Sequence, residues 1–177
     1  MALNFENLDA RTRELMLSEI DRDVADPQGL YQSAVLTAAG LGSWEALLRQ
    51  ACETGNDSSL AVALGDPGGS YIMARRPDPS TRTGDRKVSS IAATTLAEGE
   101  FNRYYMRALC LRAIQEELEL EIYRARFSAE PELKSEAMIG TSPDPESFLA
   151  DLRSHQGREP ALGLPHPNSG LSVRLRI

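Results

Sequence analysis

Apolar residues recur at helical spacing from the N-terminus onward. Leu15, Met16, Ile20 and Val24 form one stripe, which predicts a helix capped by Asp9 and stopped by Pro27 and Gly29. The segment from Leu30 to Gly42 reads as a short helix or an irregular packed stretch, through Tyr31, Val35, Leu36 and Leu41. Ser43 then caps a predicted helix whose face is Trp44, Leu47, Leu48 and Ala51. A further short helix starts at Asp57 or Ser58, runs through Leu60, Ala61 and Leu64, and ends at Gly65. Two short helices joined so tightly form a hairpin that must lean on the rest of the domain or on a partner.

The longest predicted element runs from Glu98 to about Glu117, with Thr95 and Glu98 as a capping box. Phe101, Tyr104, Tyr105, Ala108, Leu109, Leu111 and Leu118 cover a wide arc, extended by Cys110, Ala113 and Ile114. A helix apolar on most sides is a core helix. Gly99 lowers helix propensity by roughly 1 kcal/mol, which suggests that another backbone approaches it closely. From Glu119 the period changes to two, predicting a strand over Leu120 to Phe127, with continuation of the helix to Arg126 as the competing reading. Its candidate mates are Ser70 to Arg75, Leu133 to Ile139, or the tail. Asp144 caps a last helix with Pro145 in its first position and Phe148, Leu149 and Leu152 on its apolar side. Residues 155–170 are rich in Pro and Gly, and Leu171 to Ile177 alternate without a break, the cleanest strand pattern in the chain.

These elements predict an α+β, mainly helical fold: one long central helix, several short helices, and a small sheet that includes the C-terminal strand. The domain reading is a single mainly helical unit over 1–154 with a basic loop at 67–93, followed by an extended arm over 155–177. The terminal strand, with Leu171, Val173, Leu175 and Ile177 as its apolar positions, either folds back on its own sheet or reaches a neighbouring subunit.

Charge sharpens this picture. The 177 residues carry a net charge of −7, which disfavours a general nucleic-acid binder. The distribution is uneven: residues 1–66 hold 4 basic and 11 acidic side chains, whereas 67–87 hold 5 basic and 2 acidic. Arg75, Arg76, Arg82, Arg86 and Lys87 stand there among Pro67, Gly68, Gly69, Pro77, Pro79 and Gly84, around the short apolar patch Tyr71-Ile72-Met73-Ala74. The segment reads as a basic arm for an acidic partner or a phosphate backbone, or as a solvated loop paired with the chain's own acidic half. Arg103 and Arg107, one helical turn apart beside Tyr104 and Tyr105, suggest an anion or protein contact, or else pair with Glu100, Glu116 or the acidic N-terminal helix.

Catalytic and cofactor signatures are missing from the pattern. His155 and His166 stand eleven residues apart with no Cys near them, so no metal is expected. Gly65-Asp66-Pro67-Gly68-Gly69-Ser70 lacks the Lys-Ser/Thr ending of a phosphate loop. Cys52 and Cys110 read as buried thiols, and two Cys in 177 residues do not make a disulfide scaffold. The carboxylate pairs, Asp21 with Asp23 and Glu116 to Glu121, read as solvated faces. Neither a catalytic residue nor a cofactor is assigned. The N-terminus lacks a signal-peptide pattern, and Val35 to Leu41 is too short to span a bilayer. The expectation is a cytoplasmic protein, or a component of a particle assembled in the cytoplasm.

Several blocks together resemble an uncharacterised family of bacterial proteins loosely associated with phage-like or mobile gene sets. They are Thr12 to Ile20, Leu96-Ala97-Glu98-Gly99-Glu100-Phe101-Asn102-Arg103-Tyr104-Tyr105, Ser135 to Gly140, and Pro167 to Leu175. The resemblance carries no catalytic residue and implies a structural or assembly protein. The leading functional expectation is therefore a non-enzymatic assembly protein acting through protein–protein contacts, as a homo-oligomer or within a larger complex. The alternatives are a small regulatory or nucleic-acid-associated protein using residues 75–87, and an enzyme with dispersed catalytic residues.

Overall fold

The computed structural model describes residues 2–77, 85–128, 132–157, 160–165 and 169–176. Its organising element is α4 (Ala92–Glu116), preceded by α1 (Ala10–Ala25), α2 (Ala38–Thr54), α3 (Asp57–Leu64) and the two short strands β1 (Arg75–Pro77) and β2 (Asp85–Lys87). Strand β3 (Glu119–Arg124), α5 (Leu133–Met138), α6 (Pro145–Ser154) and β4 (Leu171–Arg176) follow it. The mainly helical α+β class, the long central helix and the terminal strand are as the sequence pattern predicts.

Helix α4 is buried over most of its surface, polar residues such as Asn102 and Arg107 included, so neighbours surround it. Helices α1, α3 and α6 and both strands β3 and β4 pack against it. Phe101, Tyr105, Met106, Leu109 and Cys110 are fully buried in the resulting core, with Met16 and Ile20 of α1 and Leu48 of α2.

The helix ends follow the capping chemistry of the sequence, with three corrections. Asp9 accepts from Thr12 N–H and Asp144 from Ser147 N–H, with Pro145 in the first turn of α6. Helix α2 starts at Ala38 rather than after Ser43, because the Thr37 hydroxyl accepts from Gly40 N–H. Its first turn lies against the chain at Tyr71: a Cβ on Gly40 would meet Tyr71 O at 2.3 Å. Helix α4 starts at Ala92, so Thr95 is interior and caps nothing. The close approach expected at Gly99 is also absent, since nothing lies within 4 Å of a Cβ built there.

Glu117, with φ of 54°, ends α4 in the left-handed region, and its N–H reaches back to Ala113 O. This break resolves the ambiguity that follows: Glu119–Arg124 is a strand, antiparallel to β4 with Leu120 opposite Leu175 and Ile122 opposite Val173. Of the three candidate mates the tail is the one used. Leu133–Met138 is helical instead, and Ile72 makes an isolated bridge to Leu36. Among the described residues, no helix is long and apolar enough to cross a membrane.

Candidate interaction surface

The basic segment is not a plain loop. Met73 N–H donates to Val35 O at 2.8 Å and Thr37 N–H to Tyr71 O at 2.9 Å, which ties residues 71–73 to the chain just before α2. The chain then continues into β1, which pairs antiparallel with β2. Val88, buried to 8% exposure, donates to Ala74 O at 3.0 Å and fixes the other side of the base. A two-stranded ribbon is therefore anchored at its base, with the connection between its strands over 78–84. Gly and Pro punctuation hid it in the sequence. The available signal was two short runs of matching composition, Arg-Arg-Pro and Asp-Arg-Lys, flanking a turn-rich stretch.

Register exposes an electrostatic oddity. Arg75 stands opposite Lys87 and Arg76 opposite Arg86. Like charges directly opposed destabilise a strand pair, on the scale of a few tenths to about 1 kcal/mol. The β3–β4 ladder of the same chain does the reverse, with Glu119 opposite Arg176 and Glu121 opposite Arg174. There the guanidinium of Arg174 reaches Glu121 at 3.1 Å and that of Arg176 reaches Glu119 at 3.6 Å. Arg75 and Lys87 are both exposed. Arg82 and Ile177 lie outside the described residues, as do the side chains of Arg76 and Arg86.

Arg103 and Arg107 are not at the surface, and this corrects the reading of them as contact residues. The chain folds so that α1 and α6 close over this side of α4. Arg107 is fully buried, its Nη1 and Nη2 donating to both oxygens of Asp23 at 2.6 and 2.8 Å and its Nε to Glu19 at 2.6 Å. Arg153 of α6 donates to the same Glu19, and the Tyr104 hydroxyl donates to Asp23 at 2.8 Å. Arg103 faces Glu100 at 3.5 Å and donates to the carbonyl of His155 at 3.0 Å. Burial works against the Glu19 charge, but Arg153 and Arg107 outweigh it and hold its carboxyl below the ordinary value. Burial wins at Glu100, whose carboxyl is pushed up despite Arg103. Pairing with the acidic N-terminal helix was the other reading open for Arg107, and it is the arrangement present. Arg153, far away in sequence, is the second cation on Glu19.

The tail also packs inward. Leu171, Val173 and Leu175 are at most 7% exposed and belong to the central core. Asn102 donates to Leu171 O at 2.9 Å and accepts from the Ser172 hydroxyl at 2.7 Å, while Leu175 N–H donates to Asn7 at 2.9 Å. On the far edge of β3, Ile122 N–H donates to Thr141 O and Gly140 N–H to Ile122 O. Both edges of this small sheet are therefore met by the chain's own groups, so β4 is not offered to a neighbour.

The groups that carry chemistry elsewhere have local duties here. Ser154 and Asp151 both approach His155 through the same nitrogen, Nδ1, at 3.0 and 2.9 Å. A relay needs the two ring nitrogens to face different partners. Asp151 also accepts from Ala161 and Leu162 N–H at 2.9 and 3.0 Å, which clamps the arm to α6. Burial pushes the Cys52 thiol up to about 12 and raises that of Cys110, so both stay protonated and unreactive at neutral pH. Among the described residues no cluster of His, Cys, Asp and Glu is placed to hold a metal ion. A cavity of about 200 Å³ lies between Ala2, Asp57, Ser58, Ala61, Val62 and Thr94, smaller than the usual range for small-molecule sites. Asp57 Oδ2 accepts from Leu3 N–H at 3.0 Å.

The chain was compared with protein-family models, curated proteins and solved structures, and none matches it.

Proposed function

We propose that this chain is a non-enzymatic structural or assembly protein that works by macromolecular contact, within a larger complex or particle in the cytoplasm. The contact element in this reading is the β1–β2 ribbon, not the terminal strand. The supporting observation is the pair of like-charge oppositions, Arg75 with Lys87 and Arg76 with Arg86. Cations placed so that they oppose each other favour an anionic partner that relieves the repulsion.

The reading is tested by hydrodynamic mass and by binding. Size-exclusion chromatography with light scattering is run on the chain alone and mixed in turn with acidic protein and duplex nucleic acid. The expected result is an association, with itself or with one of the two, that disappears when Arg86 and Lys87 are both replaced by Glu. A strict monomer retaining neither partner refutes the reading.

A further inference from the structure

We propose that the cavity between the N-terminal segment, α3 and the first turn of α4 is a binding site for a primary alkylammonium group, whose charge is received by Asp57. The inference stands apart from the ribbon, since none of the residues lining this cavity belongs to β1 or β2. Asp57 opens α3 and is 3% exposed. Leu3 N–H donates to its Oδ2 at 3.0 Å, while Oδ1 has no hydrogen-bond partner. Arg126, whose field reaches Asp57, gives hydrogen bonds to Glu98. A buried carboxylate oxygen without a donor is costly, and a charged donor that reaches it is strongly favoured. Burial pushes the Asp57 carboxyl above its ordinary value, against the pull of neighbouring N–H groups and Arg126. The charged form therefore lacks the stabilisation that a close opposite charge brings.

The rest of the lining fits such a ligand. Ala2, Ala61 and Val62 are apolar, and Ser58 and Thr94 carry hydroxyls that can accept the remaining ammonium protons. Val62 is 73% exposed although apolar, and an alkyl stem lying on it removes that surface from water. The cavity of about 200 Å³ is roughly the liquid volume of six or seven water molecules. That is room for a short alkyl chain and its head group, and too little for a nucleotide. An anion is refused by Asp57. Among the described residues no three acidic, His or Cys side chains converge, so a metal ion would find one carboxylate here where it needs several ligands. Two sources carry the group that fits: a free alkylamine, and the lysine side chain of a partner protein.

The test is a two-dimensional amide NMR spectrum of the isotope-labelled full chain, titrated with n-butylammonium chloride, with n-butanol as the neutral isostere, and with an Nα-acetyl-lysine methylamide. Butylammonium should give saturable shifts at Ser58, Ala61, Val62 and Thr94 in the millimolar range, and n-butanol should bind at least tenfold more weakly. Asp57→Asn keeps an acceptor for Leu3 N–H, removes the charge, and should weaken the amine at least tenfold. Ala61→Leu fills the cavity from a partly exposed position and should abolish binding with Asp57 unaltered, while a melting temperature near that of the unaltered chain shows that the fold is kept. A lysine derivative that binds as tightly as butylammonium assigns the site to a partner's side chain, and its exclusion assigns the site to a free amine. The absence of any saturable shift overturns the proposal. So does n-butanol bound as tightly as the amine, or amine binding that survives either variant.

Discussion

Replacing Arg107 by Met removes the centre of the buried charge network without opening a large void. The guanidinium makes a two-pronged contact with Asp23 at 2.6 and 2.8 Å and a third hydrogen bond to Glu19 at 2.6 Å, and neither Arg107 nor Asp23 has exposed surface. After the change Asp23 keeps the Tyr104 hydroxyl at 2.8 Å and the half-exposed Arg22 at 3.3 Å, and Glu19 keeps Arg153. Breaking a buried ion pair on one side typically costs about 3–5 kcal/mol. Both carboxylates retain a second partner, so the lower end applies, about 3 kcal/mol. For a chain of this length that is a fall in melting temperature of roughly 6–12 °C. Urea unfolding followed by circular dichroism measures it, with an unchanged dependence on denaturant showing that the native state stays compact. Arg107→Met combined with Asp23→Leu should lose less than the sum of the two single changes, because Asp23 is then no longer left as a buried carboxylate without its arginine. A loss below about 1 kcal/mol for Arg107→Met, or strict additivity in the double variant, refutes the claim that this network constrains the packing of α1 and α6 on α4.

Gly99→Ala should stabilise the protein by up to about 1 kcal/mol, since the position is helical and a Cβ there meets nothing, whereas Gly40→Ala should destabilise it because that Cβ strikes Tyr71 O at 2.3 Å; thermal melts of both separate the two cases. Leu171→Ala should cost about 2–5 kcal/mol with no change in the concentration dependence of unfolding, and a stability that rises with protein concentration would instead indicate an exchanged tail. Glu19 is held below its ordinary 4.5 by its arginines, so its contribution is present above that pH and is lost as pH falls through the folded value; Arg107→Met should therefore lose less stability on acidification than the unaltered chain. Glu100 is shifted the other way by burial, so this group takes stability away as pH rises from 4.5 through its folded value; Glu100→Gln should flatten that pH dependence, measured by urea unfolding across the range.

Local signals in the sequence located most elements because those elements obey local chemistry. Asp9 and Asp144 cap as their side chains allow, and the unbroken alternation from Leu171 is a strand. The failures share a cause. Ser43, Thr95 and Gly99 stand out by their nearest neighbours alone, but Thr37 offers an earlier cap and the α4 register extends back to Ala92. The ribbon was hidden because strand pairing is non-local and its strands are only three residues long. Arg103 and Arg107 were misplaced because a polar residue on a long helix reads as surface unless its partners are known. Those partners lie on α1, some 80 residues earlier, and at His155 just after α6, about 50 residues later.

The two antiparallel ladders make the functional argument within one molecule. In β3–β4 the chain places Glu119 and Glu121 opposite Arg176 and Arg174, then covers both edges with its own groups. That ladder is electrostatically self-sufficient and serves the core. In β1–β2 two of the three cross-strand positions hold cation against cation. A hairpin selected only for stability would take opposite charges there, as the other ladder does. The interior follows the same rule as β3–β4, since Arg107 and Arg153 lie against carboxylates of α1. Cation opposite cation in the register is thus a feature of β1–β2 and not of β3–β4.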